Sequence, residues 1–137
     1  MKNMNKKFLI WLFIIIGTIL LLGNILLLYF AMLIDTNSVI DDVKNIMHGN
    51  VEESAIDNSP LRTYYRRGDL RTVSVDANIT RKFVLHNFSD GYIWVKYTCE
   101  GFDSKGSKTY GSWEIPSRWK IHKENGKWKV IEIKERP

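Results

Sequence analysis

FLIWLFIIIGTILLLGNILLLYFAMLI, residues 8–34, runs for 27 residues without a charged side chain. A helix rises about 1.5 Å per residue and the hydrocarbon core of a bilayer is about 30 Å thick, so roughly 20 apolar residues cross it. The run spans with length to spare. It divides the chain into a basic stub (1–7), a membrane span (8–34) and a polar remainder (35–137). About 100 residues make one domain with one core and no second. Trp94, Trp113, Trp119 and Trp128, with several Tyr and Phe, supply the aromatic bulk such a core needs.

Lys2, Lys6 and Lys7 precede the span, and Asp35, Asp41 and Asp42 follow it. Positive charge is retained on the cytoplasmic side during insertion, which predicts a single-pass protein of the cell membrane with its amino end inside and residues 35–137 outside the cytoplasm. A cleavable signal peptide has an apolar core of about 7–15 residues and small residues at its cleavage site. Here the core is longer and Ala31-Met32-Leu33 is bulky, so the segment reads as an uncleaved signal anchor. Gly17, Thr18, Gly23 and Asn24 interrupt the apolar wall. Gly17 and Gly23 lack the GxxxG spacing and read as tolerated in an unpaired anchor.

The formal charge is +5, from 20 basic and 15 acidic residues. Three of the lysines belong to the stub, leaving 17 basic residues beyond the span against all 15 acids. That balance is too mild to indicate nucleic acid, and no nucleic-acid partner is expected. Residues 35–57 hold six acids and Lys44 alone, so the first part of the domain and the rest carry opposite signs. Cys99 is the only cysteine, which excludes an intrachain disulfide, a cysteine metal cluster and a CxxC pair. It reads as a small buried apolar residue. Asn78-Ile79-Thr80 and Asn87-Phe88-Ser89 match the glycosylation sequon, which matters only in a eukaryotic secretory pathway.

Asp35-Thr36-Asn37-Ser38 is a cluster of N-cap residues, after which Val39, Ile40, Val43, Ile46 and Met47 recur at helical spacing. His48-Gly49 supplies a stop, predicting a helix over 36–48 that starts almost at the lipid surface. A further turn is expected over 51–56, ended by Asn58-Ser59-Pro60. LRTYYRRGDLR (61–71) then gathers Arg62, Arg66, Arg67 and Arg71 around Tyr64 and Tyr65. Guanidinium forks match carboxylate and phosphate oxygens and stack on rings, which makes this stretch a candidate partner-binding surface.

From Leu70 the period changes to two. Val73, Val75, Ala77 and Ile79 alternate with polar residues, and strands are expected over 80–87 and 92–102 about a turn at Phe88-Ser89-Asp90-Gly91. Ile93, Val95, Tyr97 and Cys99 fall on one face of the later strand, with Trp94 on the other as a second candidate contact. Trp113, Ile115, Trp119 and Ile121 share parity across a strand interrupted at Pro116, where a bulge is expected. Asn125-Gly126 closes the last hairpin, and 127–134 returns as the final strand. The fold class is therefore α+β: a transmembrane helix, then a helix packed on a curved antiparallel sheet of four or five strands.

RWKIHKENGKWKVIEIKERP (118–137) resembles the closing hairpin of the nuclear transport factor two-like, or cystatin-like, cone superfamily, in which a Trp-ended strand, an Asn-Gly turn and a GKWKV-type strand recur. The resemblance implies a long curved sheet wrapped round one or more helices, with a mouth at one end. It implies no single function, since the superfamily includes isomerases, dehydratases, ligand binders and structural modules. The chain looks most like its small membrane-tethered bacterial members.

A catalytic cone needs a buried acid or base pair. Asp76 and His86, expected on neighbouring strands, Tyr97 and His122, the last expected on an outer face beside Lys123, are the residues available, with Trp113 and Trp119 as further cavity lining. His48, His86 and His122 show no ligand spacing, so no metal and no cofactor are expected. GxSxG, GxxxxGK[ST], HExxH and GxGxxG are absent. The reading is a non-catalytic, membrane-anchored domain of the bacterial envelope that binds another envelope protein. A cone holding a small ligand is the alternative, and an isomerase- or hydrolase-type enzyme comes after it.

Overall fold

A computed structural model describes residues 5–65 and 71–135. Helix α1 (Lys6–Asp35) is followed after one residue by α2 (Asn37–Met47), and four strands follow: β1 (Ser74–His86), β2 (Asp90–Phe102), β3 (Lys108–Glu124) and β4 (Lys127–Glu135). The strands form one open antiparallel sheet in the order β1-β2-β3-β4. The fold is α+β, with a long apolar amino-terminal helix against a four-stranded sheet.

No residue of α1 is buried, and the helix is long and apolar enough to cross a membrane. Asn5 caps its start, accepting from the Lys7 amide at 3.3 Å. Its other end is a bend at Thr36, whose Oγ1 donates back to the Met32 carbonyl at 2.9 Å. Such i−4 bonding by a hydroxyl bends helices, and here it sets the angle between α1 and α2. The expected near-continuity of span and first helix is thus present, broken only at one fully buried residue.

Helix α2 turns Val39, Val43, Ile46 and Met47 inward. Gly49 takes the left-handed conformation that ends it, at φ 72°. The next stretch forms two short 3₁₀ turns, Glu53–Ala55 and Pro60–Tyr64, the second capped by Ser59. The core lies between α2 with these turns and the inner sheet face, where Val84, Ile93, Trp119 and Ile121 are wholly buried. Each such side chain contributes about 1.5–3 kcal/mol by leaving water.

β1 joins the alternating stretch that begins at Val73 and the strand expected over 80–87 into one, so the sheet has four strands, the lower of the two expected numbers. A register shift between Arg81 and Phe83 places Lys82 in a bulge. The extra residue reverses the alternation: Ala77 and Ile79 point inward before it, and Val84 and His86 after it. In β3 the irregularity falls opposite Tyr97–Cys99, at Trp113–Glu114, where Glu114 has φ 48°. That is just before Pro116, which itself pairs with Lys96.

Candidate functional site

The densest long-range polar network joins the end of α1 to the sheet. The last carbonyls of a helix have no intrahelical donors, and those of Met32 and Leu33 find donors on β1. Arg81 Nη1 donates to the Leu33 carbonyl at 2.8 Å and to Thr36 Oγ1 at 3.2 Å. His86 Nε2 donates to the Met32 carbonyl at 3.2 Å while its Nδ1 accepts from the Phe88 amide at 3.0 Å. The two contacts select the tautomer with its proton on Nε2. The ring is held between Phe88 and Trp128, each with centroids 4.8 Å away.

Asp35 closes the other side. Its Oδ2 accepts from Trp128 Nε1 at 2.8 Å and pairs with Lys123 Nζ at 3.0 Å. Burial alone would raise its carboxyl, but the bonds from Lys123 and Trp128 outweigh it and hold Asp35 below the ordinary aspartate value of 3.8. Burial lowers the Arg81 guanidinium, which keeps its charge against the negative end of the α1 dipole. Higher on the helix, Tyr29 stacks on Phe83 with centroids 5.7 Å apart. Four sheet residues and one aromatic pair thus clasp the last two turns of α1.

Gly91 is what allows β2 so close to this site. A Cβ there would lie 2.3 Å from the His86 Cβ and 2.4 Å from the Leu85 carbonyl oxygen. Alongside, the Lys123 amide bonds the Ser89 carbonyl at 2.7 Å, tying the end of β3 to the β1–β2 turn.

A groove of about 630 Å³ opens beside the edge strand, with Trp128 of the clasp in its wall. It lies between α2 (Val39, Asp42, Ile46), the turn residues Ile56 and Leu61, and the edge strand β4 with Val130 and Ile131.

The residues singled out in the sequence are not gathered in one place. Tyr64 belongs to the core at 3% exposure, its hydroxyl 3.1 Å from Ser117 Oγ and accepting from Trp119 Nε1 at 2.8 Å. Burial pushes its phenol well above the usual range. Arg62 is paired with Glu53 and Asp57, Tyr65 is half-buried and Arg71 is exposed; Arg66 and Arg67 lie outside the described residues. Trp94 is half-buried on the outer sheet face.

Asp76 and His86 share β1, not neighbouring strands, and the bulge puts them on opposite faces: Asp76 exposed, His86 buried. Tyr97 is buried and donates to Glu135 at 2.7 Å. Trp119 is wholly buried, while Trp113 is 56% exposed beneath the Lys108 ammonium at 4.2 Å. These five side chains line no common cavity. Among the described residues no three His, Cys, Asp or Glu side chains are grouped to hold a metal ion. No family model, curated protein or solved structure matches the chain.

Proposed function

We propose that this protein is a non-catalytic, single-pass module of the bacterial envelope that holds a sheet domain at the membrane surface and there binds another envelope protein. The amino end lies in the cytoplasm and the sheet outside. The observation that carries this reading is the clasp: a flexible tether would suffice to localise a domain, whereas Arg81, His86, Lys123 and Trp128 all fix the end of α1. Such fixing serves a protein whose partner must be met at a set height and angle. The groove beside β4 supplies an apolar floor next to an edge strand, the kind of surface on which an extended segment adds to a sheet. The order of helix then meander, and the hairpin of residues 118–137, support placing the soluble part beside the cystatin-like cone folds.

The test is photocrosslinking in intact cells from Asn45 and Ile131, both lining the groove. A discrete protein adduct at both positions, lost in an Asn45-labelled chain that carries Ile131→Asp and still folds, is the expected result. Adducts to lipid alone from a folded chain would overturn the reading. Protease added outside intact cells should remove residues 35–137; protection in cells and cleavage only after lysis would reverse the orientation.

A further inference from the structure

We infer that the outer face of the sheet lies on the protein's own bilayer and binds anionic phospholipid headgroups. The first ground is where each face of the sheet touches α1. Inner-face residues direct their hydrogen bonds and ion pair to its last residues: His86 to the Met32 carbonyl, Arg81 to that of Leu33, and Trp128 and Lys123 to the carboxylate of Asp35, with Arg81 also in electrostatic reach of Tyr29. The outer-face residue Phe83 stacks on the Tyr29 ring. Tyr29 is three to six residues closer to the lipid end, about 5–9 Å along the axis. Helical side chains lean toward the amino end and carbonyls point the other way, which widens the gap. The outer face is therefore tilted toward the membrane, and the inner face with α2 away from it.

The second ground is the chemistry of that face. The pairing register puts Phe83, Trp94, Arg118 and Lys134 in one cross-strand row and Leu85, Tyr92, Lys120 and Glu132 in the next. Phe83 packs on Trp94 at 5.4 Å and Trp94 on Tyr92 at 5.8 Å, so one aromatic band runs outward from Tyr29 of the spanning helix. Leu85 beside it is 53% exposed. Lys82 next to Phe83, with Lys96, Arg118, Lys134 and the carboxylate Glu135, lines a depression of about 780 Å³ floored in part by Trp94. Lys96 is paired with Glu114 and Lys134 with Glu132. Among the described residues no carboxylate comes within salt-bridge distance of Lys82, Arg118 or Lys120, though Glu132 lies in electrostatic reach of Arg118 and Lys120 and Asp90 of Lys120, and Arg118 stands over the Tyr92 ring at 5.1 Å. Aromatic rings at headgroup depth with cations beside them are the composition that binds a negatively charged bilayer surface. The inference stands independently of a protein partner in the β4 groove, which lies on the other side of the core.

The test uses the full chain reconstituted in phosphatidylcholine vesicles with or without phosphatidylglycerol. A fluorophore is placed at Leu85→Cys or at Ile131→Cys, each with Cys99→Ser, and a quencher is carried on the lipid headgroups. Leu85 is expected to be strongly quenched in the anionic vesicles and Ile131 little. Replacing Lys82, Arg118 and Lys120 by Gln should shift the balance between lying and lifted sheet by roughly a hundredfold, with most of the Leu85 quenching lost. A circular dichroism spectrum and unfolding midpoint unchanged by these substitutions, or by single Lys82→Gln, keep the comparison valid. Equal quenching at Leu85 and Ile131 would overturn the tilt. Quenching at Leu85 that ignores both phosphatidylglycerol and the three cations would overturn the headgroup assignment. Loss of quenching as protein density rises, with fluorophore self-quenching in its place, would assign the face to a second copy of the chain and overturn it too.

Discussion

Asp35 is the first charged residue after the apolar run, and its two partners come from 88 and 93 positions further along the chain. Its carboxylate is held below its ordinary value in the folded state, so the stabilisation is present above about pH 4 and is lost as pH falls through the lowered folded value. Asp35→Asn should cost about 1 kcal/mol at neutral pH, and the gap from the parent should narrow as pH falls below about 4 when unfolding is followed in bilayer discs. A gap of unchanged size through the whole acid limb would mean the charge plays no part. At Gly91 the constraint is steric. Gly91→Ala drives a methyl into the His86 Cβ and the Leu85 carbonyl, and at least about 2 kcal/mol of destabilisation should follow in thermal unfolding. In the core, Tyr64→Phe strands Trp119 Nε1 and Ser117 Oγ at a loss of about 1–3 kcal/mol, measurable by denaturant titration.

At the scale of elements, α1 and α2 behave as one bent rod because a single buried threonine separates them. Two glycines inserted after Thr36 should leave α2 on the sheet but free α1 from it, seen as lost protection of the Arg81 and His86 region in hydrogen exchange. Retained protection would show that the clasp does not depend on the rod. The spans of α2 and β2 were legible because their periods are regular: Val39, Val43, Ile46 and Met47 are buried at helical spacing, and Ile93, Val95, Tyr97 and Cys99 as their parity implies. Elsewhere the pattern misleads for local reasons. The bulge at Lys82 reverses which face a residue takes, so equal parity in Asp76 and His86 means opposite sides. Tyr64 sits in a 3₁₀ turn with no hydrophobic period to mark it, so its neighbouring arginines made it look like surface. Nothing in the local sequence pairs Asp35 with Lys123 and Trp128. The available hint was its place, an acid set directly after the span where the chain re-enters water.

For the molecule as a whole, the contacts of α1 divide that helix into two parts. Every residue from 8 to 28 is exposed, and burial begins at Tyr29, so the docked last turns stand apart from the 21 residues before them. Those 21 residues cover about 31 Å, enough to cross a hydrocarbon core, so on the proposed reading Tyr29–Thr36 stand at the interface in the grip of the sheet. On the proposed reading, height and tilt of the domain follow from the clasp, and the proposed partner groove and lipid-facing aromatic band inherit their directions from it. Electron spin resonance distance measurement tests this most directly, on the full chain in bilayer discs with labels at Ala31→Cys and Lys127→Cys and with Cys99→Ser. The account requires one narrow distance distribution at neutral pH that broadens in Asp35→Asn combined with Arg81→Ala. A broad distribution in the otherwise unaltered chain, as a domain on a loose tether gives, would contradict it.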